Sequence, residues 1–305
     1  MFNNKIFNMV SVAALSIIFL IGCTSEQEDA PETEADRELQ LTASFSVIAD
    51  IVEEIAGDRA HVDYIVPIGE EPHEHEPVPS DFQKVTDSDV FFVNGLGLEE
   101  WLESLMDNVT DTPVFEVSEG LDPIQLSDGE TDDPHAWLDP NKVHTFVDNI
   151  LDRLIEMDPN GEEVYQENAD NYKQQLTELD EKIKESVEQV PEENRFILLS
   201  EDAFIYFGAA YDFETDGIWE LNSHEEGTPQ QIARIVDLLG ERGIPYVFLE
   251  TTLNPVHMEA VSSDSGVPIY DMTIYTDAVA EEGDASNYIG MMEHNLEAIV
   301  SALSE

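Results

Sequence analysis

The chain has almost no cysteine and very little positive charge. Its one Cys, at position 23 of 305 residues, excludes any disulfide within the chain, so stability must come from packing. Lys and Arg number 12 against 68 Asp and Glu, a formal net charge of −56, which argues against nucleic acid as a partner. Catalytic signatures are missing too. There is no His-Glu-x-x-His helix, no Gly-x-Ser-x-Gly elbow and no phosphate-binding Gly-rich loop. A zinc hydrolase or a nucleophilic enzyme therefore has no visible machinery, although HEHE at 73–76 superficially suggests one.

The acids are spread along the whole length, as in GEEVYQENADNY and VAEEGDASNY, and not gathered into one tail. Two readings compete: a surface adapted to high salt, where neighbouring carboxylates scarcely repel, and a surface that attracts cations for a functional reason. The first is favoured, because a metal site needs a few aimed carboxylates and not dozens of scattered ones.

Residues 1–22 stand apart. Lys5 is their sole charge, and an apolar run from Met9 to Ile21 ends in Leu20-Ile21-Gly22-Cys23. The run is short for a membrane span and has the layout of a signal peptide. LIGC resembles the bacterial lipobox, which implies cleavage before Cys23 and lipidation of its thiol. Residues 23–38 are acidic and poor in apolar side chains, and read as a tether.

From Leu39 onward strands and helices alternate, and the length suffices for two domains with a core each. LQLTASF alternates as a strand, and SVIADIVEEIAGD puts Ile48, Ile51, Val52 and Ile55 on one helical face before Gly57. HVDYIVPI, DVFFVNG and PVFEVS read as strands of buried type, with a helix over LEEWLESLM. These form a first lobe, 39–140. Residues 141–190 carry two long apolar series, Val143 to Ile155 and Tyr165 to Val187, the second long enough for a helix of about 40 Å that either spans the two lobes or packs as a hairpin within one. A second α/β lobe, 191–305, offers the strands RFILLS, PYVFLE and VPIYD, and a helix over GTPQQIARIVDLLGERG with Thr228 and Gln231 as a capping box around Pro229. Trp137 and Trp219 are expected near the interface of the lobes.

Eight histidines occur. His73 and His75 lie in PIGEEPHEHEPVP, where prolines deny helix or central strand, and His135 lies in DDPHAWLDP. Glu201 follows the strand RFILLS, and Asp277 the strand VPIYD. His73, His135, Glu201 and Asp277 thus occupy comparable strand-end positions, two in each lobe, and two imidazoles with two carboxylates would balance a divalent cation. His61, His144, His257 and His294 lack a carboxylate at meaningful spacing and read as surface or structural; His224 reads as near the cleft rim. The Glu neighbours of His75 suggest exposure.

PIGEEPHEHEP, NGLGLE, DPHAWLDP, SEDAFIYFGAAY, IWELNSHEEGTP, DSGVPIY and IYTDAVA together resemble the metal-binding lipoproteins of ABC importers, the manganese/zinc/iron solute-binding family. The resemblance implies two Rossmann-like α/β lobes joined by a single long helix, with metal held in the cleft between them by His73, His135, Glu201 and Asp277; His75 stays open as a further ligand. It also implies a non-enzymatic, monomeric protein anchored by Cys23 to the outer face of a bacterial membrane, serving a permease and its ATPase. Zinc-importing members generally carry a histidine at the third ligand position and often a His-rich loop before DPH. Here the third ligand is Glu201 and PIQLSDGETDD has no histidine, so Mn²⁺ is favoured over Zn²⁺ or Fe²⁺, oxygen-rich coordination suiting manganese. A zinc-specific member and a surface adhesin are the alternatives.

The salt reading has a direct check. Raising sodium chloride from about 0.1 M to about 1 M shortens the screening length from about 10 Å to about 3 Å and is expected to raise the thermal midpoint by roughly 5 °C or more; a flat or falling midpoint sinks that reading.

Overall fold

The computed structural model describes residues 37–107, 109, 111–221 and 227–304. The expected signal peptide, Cys23 and tether, together with His224, lie outside the described residues apart from the last residues of the tether. No helix among the described residues is long and apolar enough to cross a membrane.

The first lobe is built on a four-stranded parallel sheet in the order β2-β1-β3-β4, with β1 at Leu39–Ala43, β2 at Ala60–Tyr64, β3 at Val90–Val93 and β4 at Val114–Glu116. Helix α1, Ser46–Ala56, buries Ile48, Ile51, Val52 and Ile55 and stops at Gly57, whose φ of +55° no β-carbon residue adopts without strain. α2, Pro79–Thr86, was not foreseen: it buries only Asp81 and Val85, too few positions to mark a period. Its start is fixed by the Asp81 carboxylate, which accepts the Val78 N–H at 2.8 Å.

Two expectations need correction. β4 is not a buried strand; it is a sheet edge with Val114 37% exposed, because only β3 lies beside it. The LEEWLESLM helix is shorter, α3 at Leu102–Met106, since the chain before it runs through positive φ at Gly95, Leu96 and Gly97. Leu98 and Trp101 are buried in the turn instead.

The second lobe pairs β5, Phe196–Glu201, in parallel with β6, Glu214–Trp219. PYVFLE and VPIYD run alongside as extended segments without becoming regular strands: Phe248 N–H bonds to Leu198 O, and isolated parallel bridges join Val247 to Ile269 and Glu250 to Ile274. Each segment carries a proline at its start, Pro245 first in PYVFLE and Pro268 second in VPIYD, and proline has no N–H for the ladder. Helices α6, Ile205–Tyr211, α7, Pro229–Arg242, α8, Val256–Ser265, and α9, Tyr288–Leu303, complete this lobe. The capping box on α7 is formed, with Thr228 Oγ1 accepting the Gln231 N–H and Gln231 Oε1 the Thr228 N–H.

Between the lobes lie α4, Pro140–Met157, and α5, Glu162–Val187, packed side by side. At 26 residues α5 is about 39 Å long. It lies on α1 of the first lobe and on α6 and α9 of the second, so although α4 and α5 pack as a pair, α5 spans both lobes and is not a hairpin confined to one. The expectation of a core for each lobe is revised. One continuous apolar core runs from β1 and α1 through α4 and α5 into β5, α6 and α9, and a small second core under α7 and α8 holds Phe196, Leu198, Ile218 and Trp219. Trp219 accordingly packs inside the second lobe, edge-on to His257.

Trp137 sits at the seam. It is fully buried, its indole N–H donates to Thr276 O at 2.8 Å, and its own carbonyl accepts from Tyr288 Oη at 2.7 Å. Further cross-lobe bonds run from Val279 N–H to Ser46 Oγ, from Tyr288 N–H to Asp50 Oδ2, and from Tyr206 Oη to Asp133 O. Replacing Trp137 with Phe keeps most of the volume and strips the Thr276 carbonyl of its donor, a loss expected to lower stability by about 1–3 kcal/mol in urea unfolding; no change would mean that the indole bond is not part of what closes the seam.

Candidate metal centre

His73 stands in the loop between β2 and α2. The loop is held from two sides: Trp101 Nε1–H donates to Pro72 O at 2.7 Å, and His73 N–H donates to Glu71 Oε1 at 3.0 Å. His135 caps a short 3-10 turn, Ala136–Leu138, at the entry to α4. Glu201 is the last residue of β5, and Asp277 lies in the loop between the second extended segment and α9. Three of these positions follow the carboxyl ends of parallel strands or extended segments, where open α/β sheets place ligands.

The structure brings all four together, and all four are buried. His73 Nε2 and His135 Nε2 face each other at 3.3 Å. Glu201 Oε1 lies 3.7 Å from the first and 3.8 Å from the second, and Asp277 Oδ1 is 3.6 Å from His135 Nε2. Donor atoms of His73, His135 and Asp277 lie within 4.8 Å of one another, and so do those of Glu71, Glu201 and Asp277. Either spacing could hold a metal ion. Asp277 Oδ2 accepts from Thr276 Oγ1 and Thr252 Oγ1, while Oδ1 is buried without a hydrogen-bond partner. A buried carboxylate oxygen left bare in this way is the condition that a cation would relieve.

Electrostatics prepare the imidazoles differently. Burial, with His135 alongside, pushes the His73 imidazole well below its ordinary value, so it stays neutral with a lone pair to offer. Burial also opposes charge on His135, but Asp133 Oδ1, 2.6 Å from Nδ1, outweighs it and leaves the imidazole above its ordinary value. The same contact fixes the tautomer: Nδ1–H donates to Asp133, and Nε2 points into the centre. Burial raises the Asp277 carboxyl, and pushes Asp202 and Glu250 up to about 7. Excess buried carboxylate is thus the electrostatic character of this region.

Three contributors escaped sequence reasoning. Glu71 brings a third carboxylate, Asp133 orients His135, and Glu250 accepts the N–H groups of Ser200 and Glu201. The first two had a signal, each being an acid two residues before a candidate histidine; Glu250 had none. His75 is not in the cluster. Its Nε2–H donates to Asp81 Oδ2 at 2.9 Å and its ring stands edge-on to Trp101, so the side chain is held in place and not exposed as its neighbours suggested. His61 is exposed, His144 half-buried, and His294 donates to Thr273 O.

The sequence profile described as zinc-uptake complex component A, periplasmic (ZnuA), matches residues 41–302. The chain belongs to this family. It is 53% identical over 292 residues to the manganese-binding lipoprotein MntA of Halalkalibacterium halodurans, covering 95% of this chain and 97% of that protein. It is 39% identical over 305 residues to the manganese ABC transporter substrate-binding lipoprotein PsaA of Streptococcus pneumoniae, covering 96% and 97%. Among solved structures it resembles the periplasmic zinc binding protein TroA from Treponema pallidum, with a TM-score of 0.84 at 25% identity, covering 88% of this chain and 100% of that one. It also resembles a manganese-bound variant of a periplasmic metal binding protein from Candidatus Liberibacter asiaticus, with a TM-score of 0.78 at 26% identity, covering 86% and 98%. Proteins named for zinc and for manganese both occur in these comparisons, so family membership does not by itself choose the ion.

A pH dependence follows from the site. His135 is raised above 6.5 and Asp277 above 3.8, so in metal-free protein both take up protons at higher pH than their free counterparts, and a metal ion must displace those protons. Affinity for a divalent ion is therefore expected to fall from pH 7.5 to pH 5.5, by about tenfold or more, with proton release on binding seen by calorimetry in buffers of different ionisation enthalpy. Binding that is independent of pH over this range is incompatible with His135 as a ligand.

Proposed function

We propose that this protein captures a divalent transition metal, manganese in the first place, outside the cell and delivers it to an ABC-type importer. His73, His135, Glu201 and Asp277 are the ligands on this reading, with Glu71 beside them. The observation that carries it is the convergence of two imidazole nitrogens and two carboxylates, from four separate segments and both lobes, around a buried Asp277 oxygen with no hydrogen-bond partner. It is a carrier and not an enzyme. Its relatives bear the names of metal-binding and substrate-binding lipoproteins, and the four donors are accounted for by holding the ion.

Manganese is preferred for the oxygen share of the site. Mn²⁺ favours carboxylate ligands, and Glu201 and Asp277, with Glu71 in reach, outnumber the two imidazoles. Zinc remains the second reading, because four compact N and O donors also satisfy a tetrahedral ion and divalent affinities run higher for zinc than for manganese at a given site. The remaining parts of the reading are a signal peptide over 1–22, a tether over 23–38 with a lipid on Cys23, and lobes at 39–140 and 191–305 joined through 141–190. A monomer anchored to the outer membrane face presents the loaded cleft to a permease and its ATPase. The buried ligands imply that the lobes separate to load and unload.

Metal-stripped protein titrated separately with Mn²⁺ and Zn²⁺, with elemental analysis of protein purified without chelator, tests the reading. Asp277→Asn preserves shape and removes charge, and is expected to weaken manganese binding by at least about tenfold. Unchanged manganese affinity removes Asp277 from the site, and no binding or thermal shift with either ion overturns the function.

A further inference from the structure

Glu250 stands behind the second-lobe half of the centre. It closes the first extended segment beside β5, is 5% exposed, and gives its oxygens to backbone: Oε1 accepts the N–H of Ser200 and of Glu201, each at 3.0 Å, and Oε2 lies 3.1 Å from the Ser200 nitrogen. The chain then leads to the other carboxylate. Glu250 bridges in parallel to Ile274, Thr251 N–H donates to Ile274 O at 3.0 Å, and Thr252 Oγ1 reaches Asp277 Oδ2 at 3.3 Å. Glu250 therefore grips the end of β5, which carries Glu201, with its side chain, while its backbone pairs with the segment whose following loop carries Asp277.

We propose that Glu250 is a positioning residue that raises the manganese-to-zinc affinity ratio of the site, by fixing the Glu201 and Asp277 carboxylates as a pair. The proposal rests on the reading that these residues bind metal. Zinc is satisfied by four ligands and gains much of its affinity from imidazole nitrogen, so it tolerates one loosened carboxylate, whose place a water can take. Manganese binds nitrogen more weakly and depends on hard oxygen ligands. Displacing the carboxylate pair thus costs manganese more than zinc. Outer partners of metal ligands commonly change affinity by about 10–100-fold when removed, which is ample to alter a preference.

The first lobe supplies a matched comparison. Glu99 is also buried, accepts the N–H groups of Asn94 at 2.7 Å and Gly95 at 3.2 Å, and acts on the His135 loop through Asn94 Nδ2–H, which donates to Pro134 O at 3.0 Å. It is the same construction behind an imidazole. Disturbing it should cost zinc at least as much as manganese.

The experiment separates reach from charge. Glu250→Asp keeps the charge but withdraws the carboxylate from the two amides, whereas Glu250→Gln loses the charge but keeps a carbonyl oxygen where Oε1 accepts both. Dissociation constants for Mn²⁺ and Zn²⁺ are measured by competition on the full protein, with thermal midpoints and the electron paramagnetic resonance spectrum of bound manganese. Glu250→Asp is expected to lower the manganese-to-zinc affinity ratio by about tenfold and to broaden the manganese spectrum, while Glu250→Gln stays within about threefold of the native ratio. Glu99→Asp should lower both affinities without favouring zinc. A native ratio in Glu250→Asp, or equal losses of both ions in step with the thermal midpoint as in Glu99→Asp, overturns the proposal. Failure of the native protein to bind either ion is a different result, which overturns the metal-binding function itself.

Discussion

The crowding of desolvated carboxylates around two buried imidazoles is the constraint on which the rest depends. Asp133, Glu201, Glu250 and Asp277 are buried around two imidazoles at the seam of the lobes, with Glu71 and Asp202 half-buried beside them. Desolvated carboxylates repel one another and resist ionisation, as the raised Asp202, Glu250 and Asp277 record. Backbone amides stabilise the carboxylate at Glu250, imidazole N–H the one at Asp133, and hydroxyls one oxygen of Asp277. A divalent cation is the remaining term, and it fits the two nitrogen lone pairs that face the same point.

Such a site asks for a stiff frame, since a ligand misplaced by an ångström forfeits its bond to the ion. The shared core provides that frame. α5 runs its whole length against helices of both lobes, and Asp180 on it holds Asn141 at the head of α4 and Tyr211 at the end of α6. Asn141 lies six residues beyond His135, so the helix pair and the site are mechanically one piece. At the seam, hydrogen bonds around Trp137, Ser46, Asp50 and Tyr206 add to the apolar core that both lobes share.

The outer surface follows a different logic from the centre. The scarce cations are engaged locally, Arg59 with Asp158, Lys84 with Asp63, Arg234 with Asp216 and Arg242 with Glu214. Cations also reach Asp148, Glu156, Asp180 and Glu293, and acids still outnumber Lys and Arg by 68 to 12. Their dispersion distinguishes them from the acids of the centre, which are few, buried and aimed.

The sequence by itself determined the helices with strong periods, the α7 cap, the alternation that makes an α/β fold, and the four strand-end residues that meet. These are local: apolar spacing, a Thr-Pro-x-Gln start and a ligand type beside a strand end are written within a few residues. Tertiary structure alone decided the rest. It made one large core shared by both lobes with a small second core under α7 and α8, turned PYVFLE and VPIYD into irregular segments, and left β4 as an edge. It withdrew His75 to Asp81, and brought in Glu250 from 49 residues beyond Glu201. Partners so distant in the chain leave no spacing to read, because what selects them is which buried amide lacks an acceptor once the strands are side by side.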